Sequence, residues 1–315
     1  MCERQAKEMK KKWLMTGGAV GISGVIMLAT GLTAFAGTSG YDDYKAALKN
    51  TQGLESVTAQ VSAVLKDNGS LLSQAQGSLK ANLQDSAVSG TVKISGTKGT
   101  ESLSLYNQAD GEVLKSDASD IYYLMQDKSE QKDKSSKSKD ATWINNEAET
   151  VIDALVGNLQ NEVTSTTASD GSKHISLQLD SAQIPAVVQA LVPIAFKHAS
   201  AAEDRQTESN GVTKENDPQE LFHQSMFDFK DLTLTEGVQI QSVSLNADIN
   251  AANELESQQL IVTITGKDAS GTTHTLTSNL DVQLSGFNGT TPDSVDLTGK
   301  QVKQLSMHHG DRFHE

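Results

Sequence analysis

Alternation of apolar and polar residues is the feature that most constrains how this chain can fold. From Val57 to Leu65 every second side chain is apolar. A period of two places these side chains on one face of a β-strand, and that face must be covered. Asp67-Asn68-Gly69 follows directly and supplies the positive φ angles of a tight hairpin turn.

The same pattern returns along the chain in short segments, which are separated by Gly and Asp-Gly turns at intervals of about 10 residues. The apolar positions of these segments are Leu79, Ala81 and Leu83; Val92 and Ile94; Leu103 and Leu105; Val113 and Leu114; Ile121 to Met125; Ile175, Leu177 and Leu179; Val243, Leu245, Ala247 and Ile249; Leu260, Val262 and Ile264; and Leu276, Leu280, Val282 and Leu284. Such short spacing is typical of antiparallel meanders, because parallel strands need long crossover connections.

Helical spacing of apolar residues predicts a short opening helix over 41–51 and two further helices over 144–161 and 182–199. The stretches 127–140 and 200–219 are polar and predict mobile loops. Since strands precede and follow the central helices, the sequence predicts an α+β fold. Its core is a large curved antiparallel β-sheet, a half-open barrel, with helices packed over one face.

The N-terminus carries an export signal. The first 13 residues have a net charge of +3, residues 14–36 contain no charged side chain, and the run ends in Ala34-Phe35-Ala36, as a signal peptidase requires. A retained anchor is the alternative, because 23 residues at ~1.5 Å rise could cross a hydrocarbon core of ~30 Å. Residues 37–305 are therefore predicted to form a secreted or membrane-anchored domain outside the cytoplasm, followed by a flexible histidine-containing tail over 306–315.

Composition excludes several classes of function. The single cysteine, Cys2, lies in the N-terminal charged region, so the exported part has neither disulfides nor thiolate metal ligands, and a lipobox is absent. The net charge of −14 becomes about −17 once the N-terminal +3 is removed. A surface of this sign repels phosphate backbones, so no nucleic-acid partner is expected.

No catalytic, metal or cofactor site is predicted. Two S-x-x-K motifs, which begin at Ser129 and Ser136, lie in the charged 127–140 loop and have no S-D-N or K-T-G companion. The tail gathers His308, His309 and His314, but their spacing fits no rigid four-ligand site. The sequence therefore predicts that the protein is not an enzyme and has no cofactor.

The helix over 182–199 is the strongest candidate for a functional element, because apolar residues cover much of its circumference. It is either a fully buried core helix or one wall of a hydrophobic pocket beneath the sheet, lined by Ile184, Val188, Leu191 and Phe196. Aromatic residues make up only 4% of the chain, so such a pocket would suit acyl chains.

The order of an opening helix, a long meander, apolar central helices and a closing meander resembles the periplasmic lipoprotein-carrier superfamily of LolA, LppX and LprG types. That resemblance implies a half-open barrel whose concave face is lidded by helices over an apolar cavity. The segments AFAGTSGYDDYKAALKNT and TTPDSVDLTGK, the latter at 290–300, also resemble a family of uncharacterised exported proteins of spore-forming Gram-positive bacteria. No functional residue can be carried over from either family.

Together these observations predict a cell-envelope protein that binds a hydrophobic or amphiphilic, lipid-like ligand between sheet and helices. The alternative is an interaction or sensor module with a filled core and an envelope protein as its partner. Membrane contact is expected through the N-terminal segment if it is not cleaved.

Overall fold

One β-sheet of 12 strands forms the body of the molecule. The computed structural model describes residues 39–97, 99–125, 157–190, 192–193 and 234–305. The strands are β1 (Ser56–Asp67), β2 (Ser70–Asn82), β3 (Ala87–Gly96), β4 (Gly99–Gln108), β5 (Gly111–Ser116), β6 (Tyr122–Met125), β7 (Thr164–Thr167), β8 (Lys173–Asp180), β9 (Glu236–Ile249), β10 (Leu255–Lys267), β11 (Thr273–Ser285) and β12 (Val302–Leu305). Their order across the sheet is β12-β6-β5-β4-β3-β2-β1-β11-β10-β9-β8-β7.

The two meanders predicted from the sequence are confirmed, and they meet where β1 pairs with β11. The antiparallel register runs from Thr58 opposite Ser285 to Asp67 opposite Leu276. Strands from both halves of the chain thus share one sheet, as the order of strands and helices predicted. Because paired residues point to the same face, this register aligns the apolar rows of both meanders.

The predicted turn at Asp67-Asn68-Gly69 forms as expected. Asn68 and Gly69 have φ angles of 47° and 83°, which suit a two-residue hairpin loop. The turn also contacts β11: the Asn68 N–H donates to the Thr275 carbonyl at 2.9 Å, and the Thr275 N–H donates to the Asn68 Oδ1 at 3.1 Å. This turn therefore helps to hold the pairing of β1 with β11.

The two edges of the sheet are formed by strands that were not predicted. The sheet is not closed: it ends at β7 on one side and β12 on the other. Strand β12 runs parallel to β6, so the sheet is not purely antiparallel. Strand β7 was not predicted, because its sequence TSTT has no apolar residue to reveal a period of two. The curved half-barrel shape stays a prediction.

The opening helix, α1 (Ser39–Gln52), confirms the helix predicted over 41–51. Its apolar side packs on the outer strands of the second meander and forms the largest buried cluster of the described residues: Tyr41, Tyr44, Ala47, Leu48, Val163, Ile175, Ala247, Ile249 and Leu255. The Tyr44 hydroxyl donates to the Gln258 side-chain oxygen, which satisfies both buried polar groups. Burial raises the pKa of Tyr44 well above its ordinary value.

The predicted central helices are described only in part. Residues 157–162 of the first form a short 3-10 helix, Gly157–Glu162. In the second, residues 186–190 and 192–193 are helical, so Pro185 precedes the first helical residue, where its missing N–H is tolerated. The loops predicted over 127–140 and 200–219 lie outside the described residues.

The segment after β11 crosses the sheet on the face opposite the helices; we call residues 286–300 the strap. Its main chain is held by side chains of the strands beneath it. The Thr290 N–H donates to the Ser56 Oγ at 2.9 Å, and the Asp293 N–H donates to the Ser89 Oγ at 2.8 Å. Further along, the Gln108 amide both accepts from the N–H and donates to the carbonyl of Val295.

Replacing a buried leucine beneath α1 should destabilise the protein strongly. Leu255 is 6% exposed and packs in the cluster under α1, so Leu255→Ala leaves a cavity that costs about 2–5 kcal/mol of unfolding free energy. Leu71→Ala is the matched control: it makes the same change on a residue that is 55% exposed and should lower stability by less than about 0.5 kcal/mol. Urea denaturation measures both, and equal losses would contradict this packing.

His274 bridges the two turns at one end of the sheet. Its Nδ1 lies 2.8 Å from the Asp67 Oδ2, its Nε2 lies 3.5 Å from the Asp268 Oδ2, and the side chain is 12% exposed. The hydrogen bond with Asp67 raises the pKa of His274 above its ordinary value, against an opposing effect of burial. The charged imidazolium is therefore stabilised between two carboxylates in the folded state.

This arrangement predicts a pH-dependent contribution to stability. Because the pKa of His274 is higher in the folded than in the unfolded state, the contribution is fully present below the unfolded value of about 6.5 and is lost as pH rises through the folded value. The stability difference between the parent and His274→Gln should thus be largest in mild acid and shrink toward alkaline pH. His174→Gln, which makes the same change on a ring that is 50% exposed, controls for the substitution itself. A pH-independent difference for His274→Gln would contradict the prediction.

Candidate functional site

The apolar face of the sheet is built by cross-strand register. The odd-numbered residues of β1 stand beside the even-numbered residues of β11, for example Val61 beside Val282 and Ala63 beside Leu280. Leu280 in turn stands beside Leu260 of β10. Each strand thus adds its apolar side chains to one continuous face, and its polar side chains point to the other face.

Among the described residues, this face is covered most completely on β8 and β9. The helix α1 covers one end of these two strands, and a second buried cluster of Leu179, Ile184 and Ile240 covers their other end. On the neighbouring strands Ala59 and Val282 are buried. Other apolar side chains there are only partly buried: Val61, Ala63, Leu65, Leu260 and Leu280. Ser278, on the same face, is exposed, so water reaches the central region.

Two of the four predicted pocket residues are placed by the structure. Ile184 is 5% exposed and belongs to the cluster with Leu179 and Ile240, and Val188 packs against that cluster while partly buried. Leu191 and Phe196 lie outside the described residues. Val187, the neighbour of Val188, is 47% exposed. The helix therefore presents Val188 to the sheet and Val187 to solvent.

Gln189 attaches this helix to β9, a role that the sequence analysis did not assign. Its side-chain amide donates to the Ile240 carbonyl at 2.8 Å and accepts from the Ile240 N–H at 2.8 Å. Ile240 lies beside a register shift between β9 and β10, where ladder hydrogen bonding is interrupted. One feature of the sequence could have indicated this role: Gln189 is the only polar residue from Ile184 to Phe196.

A serine, an aspartate and a histidine meet on the polar face, but their order does not suit nucleophilic catalysis. The Asp248 carboxylate lies between the other two: it accepts from the Ser257 Oγ at 2.6 Å and lies 2.8 Å from the His174 Nδ1. These hydrogen bonds, that from Ser257 first, lower the pKa of Asp248. An activated serine must bond to the base itself, whereas Ser257 bonds to the carboxylate.

The remaining chemical motifs of the sequence are not tested by the part of the chain that the structure describes. There, no group of three or more His, Cys, Asp or Glu side chains could hold a metal ion. Both S-x-x-K motifs and the histidines of the tail lie outside the described residues. Among the described helices, none is long and apolar enough to cross a membrane; the predicted segment at 14–36 is not among them.

Comparison with known proteins does not assign this chain to a family. No family model matches the chain, and no curated protein matches it. Among solved structures, a DUF1329 family protein from Desulfovibrio piger ATCC 29098 is 7% identical over 79% of this chain and 92% of its own length, with a TM-score of 0.18. The ywiB protein from Bacillus subtilis is 6% identical over 75% and 96%, with a TM-score of 0.15. These TM-scores are too low to support an inference, so the resemblances drawn from the sequence stay predictions.

Proposed function

We propose that this protein is a non-enzymatic protein of the cell envelope that binds an aliphatic, lipid-like ligand against the apolar face of its sheet. The observation that carries the proposal is that the described residues cover that face incompletely. The side chains of Val61, Ala63 and Leu280 are apolar and central, yet each remains partly accessible. An apolar sheet face that is only partly covered gains free energy when a hydrophobic ligand covers it.

The mechanism would be shielding from water. Each methylene group that moves from water to an apolar surface contributes ~0.8 kcal/mol, so a long acyl chain is held without polar recognition. The accessible centre is aliphatic, and Ala63 stands beside Ala75 on the neighbouring strand. Two small side chains at adjacent positions leave room for a flexible chain rather than a flat ring.

The location outside the cytoplasm is part of the proposal and rests on the sequence. The charged N-terminus and the uncharged run over 14–36 would direct the sheet domain across the membrane. A protein that shields acyl chains is useful there, because acyl chains are poorly soluble in an aqueous space. Organic extraction of the purified protein followed by mass spectrometry should recover a lipid. Repeatedly empty extracts would favour the alternative of a filled interaction module.

A pair of adjacent valines offers a sharp test of the binding face. Val188→Asp places a carboxylate against the apolar wall, whereas Val187→Asp makes the same change on the solvent side of the helix. If a carboxylate at Val188 leaves about two methylene groups unshielded, at ~0.8 kcal/mol each, binding of a fluorescent fatty acid should weaken roughly tenfold. Val187→Asp should bind like the parent.

A second variant keeps the test decisive if Val188→Asp does not fold. Ala63→Phe fills the space beside Ala75 without adding charge, and should also reduce uptake of the probe; Val64→Phe, on the opposite face of the same strand, is its control. Circular dichroism is the measurement that checks whether each variant is folded. Folded Val188→Asp or Ala63→Phe proteins that bind the probe as well as the parent would remove this face from the ligand site.

A further inference from the structure

The polar face of the sheet carries a trough that the lipid-binding proposal does not use. It has a volume of about 450 Å³ and lies across β1 to β4 and β11. Its polar lining includes Gln60, Gln76, Ser78, Thr91, Lys93 and Asp281. These residues alternate along their strands with residues of the apolar face, so the trough lies on the side of the sheet opposite the helices.

The strap lies directly alongside this trough. Thr58, Lys80 and Ser89 form one row across β1, β2 and β3, and the strap crosses this row. Thr290 bonds Thr58 through their hydroxyls at 2.8 Å, and the Asp293 carboxylate pairs with Lys80 at 2.9 Å. The next row of side chains lies two residues further along the same strands, at a distance of about 7 Å. It is the first row of the trough.

The rows of the trough repeat the chemistry that holds the strap. Gln60, Ser78 and Thr91 form the first row, and Gln76 and Lys93 stand beside each other in the second. Under the strap, hydroxyl and amide oxygens accept main-chain N–H groups, and a lysine binds a carboxylate. Lys93 is exposed and forms no ion pair with another described residue. Within the first row, the Gln60 amide donates to the Ser78 hydroxyl at 3.0 Å. The Gln60 side-chain oxygen, the Thr91 hydroxyl, the Gln76 amide and the Lys93 ammonium group remain to meet a ligand.

We propose that the trough binds a second extended polypeptide segment, carrying an acidic residue opposite Lys93 and lying alongside the strap. The strap itself shows that this surface can hold an extended main chain through side-chain hydrogen bonds and one ion pair. A glycan fits less well, because none of the described residues that line the trough is aromatic and could stack on a sugar ring. A nucleic acid is disfavoured, because Lys93 is offset by Asp281 and the whole chain is acidic. The partner is therefore a protein with an exposed, extended segment that carries an acidic residue.

The test uses the full-length protein and a synthetic, fluorescently labelled peptide with the sequence of residues 286–300. Fluorescence anisotropy should show saturable binding, and a photoreactive group on the peptide should cross-link to residues of the Gln60 and Gln76 rows. Lys93→Glu should weaken binding at least about tenfold, which is the effect expected when a charge-assisted contact is replaced by repulsion. Lys66→Glu, an exposed lysine on β1 outside the trough, is the matched control and should leave binding unchanged.

Charge exchange makes the test specific. A peptide that carries Asp293→Lys should bind the parent poorly and should recover affinity for the Lys93→Glu protein. Three results would overturn the proposal: no saturable binding, cross-links confined to the row of Thr58, Lys80 and Ser89, or equal weakening by Lys66→Glu and Lys93→Glu. The second would mean that the peptide replaces the strap, and the third that it binds through net charge alone.

Discussion

The antiparallel pairing of β1 with β11 is the contact on which the rest of the structure depends. At the Asn68 turn, this pairing brings together residues that are more than 200 positions apart in the sequence. It thereby unites the two meanders in one sheet. A slip of one residue in this register would turn the apolar rows of one meander toward the polar rows of the other. The contacts of Asn68 with Thr275 and of Asp67 with His274 lie at one end of the pairing and hold its register.

In this register, different parts of the chain pack on the two faces of the sheet. Among the described residues, helices pack on the apolar face, where α1 and the Gln189 helix cover the two ends of β8 and β9, and apolar side chains of the central strands stay partly accessible. The strap lies on the polar face, where it is held by hydroxyls, amides and the ion pair of Lys80 with Asp293. The apolar centre and the polar trough are therefore on opposite sides of the same central strands. A ligand on one side and a peptide on the other would share these strands without competing for the same side chains.

Much of the fold could be predicted from local pattern alone. The strands around Val57, Val243 and Leu280, the turn at Asn68-Gly69 and the opening helix are all present. Strands β7 and β12 could not be predicted from local pattern. The sequence of β7, TSTT, has no apolar residue, and β12 has only four residues, too few to show an alternation of apolar and polar side chains. The candidate site was predicted as far as Ile184 and Val188, but not the attachment of their helix through Gln189. That attachment needs the edge of β9 to be open at Ile240, where the pairing with β8 has already ended at Ser242, and no local pattern reveals where that pairing ends.

By itself, the sequence determined which segments are strands, which face of each is apolar, and where the tight turns lie. Those properties depend on side-chain period and on φ angles that Asn and Gly tolerate, and both act within a few residues. Only the tertiary structure decided that β1 pairs with β11, that β12 returns parallel to β6, and that residues 286–300 cross the polar face. These depend on which strand edges and hydroxyl rows meet across distant parts of the chain. Many such pairings satisfy the same local pattern, so the choice among them is made by the packing of the whole sheet.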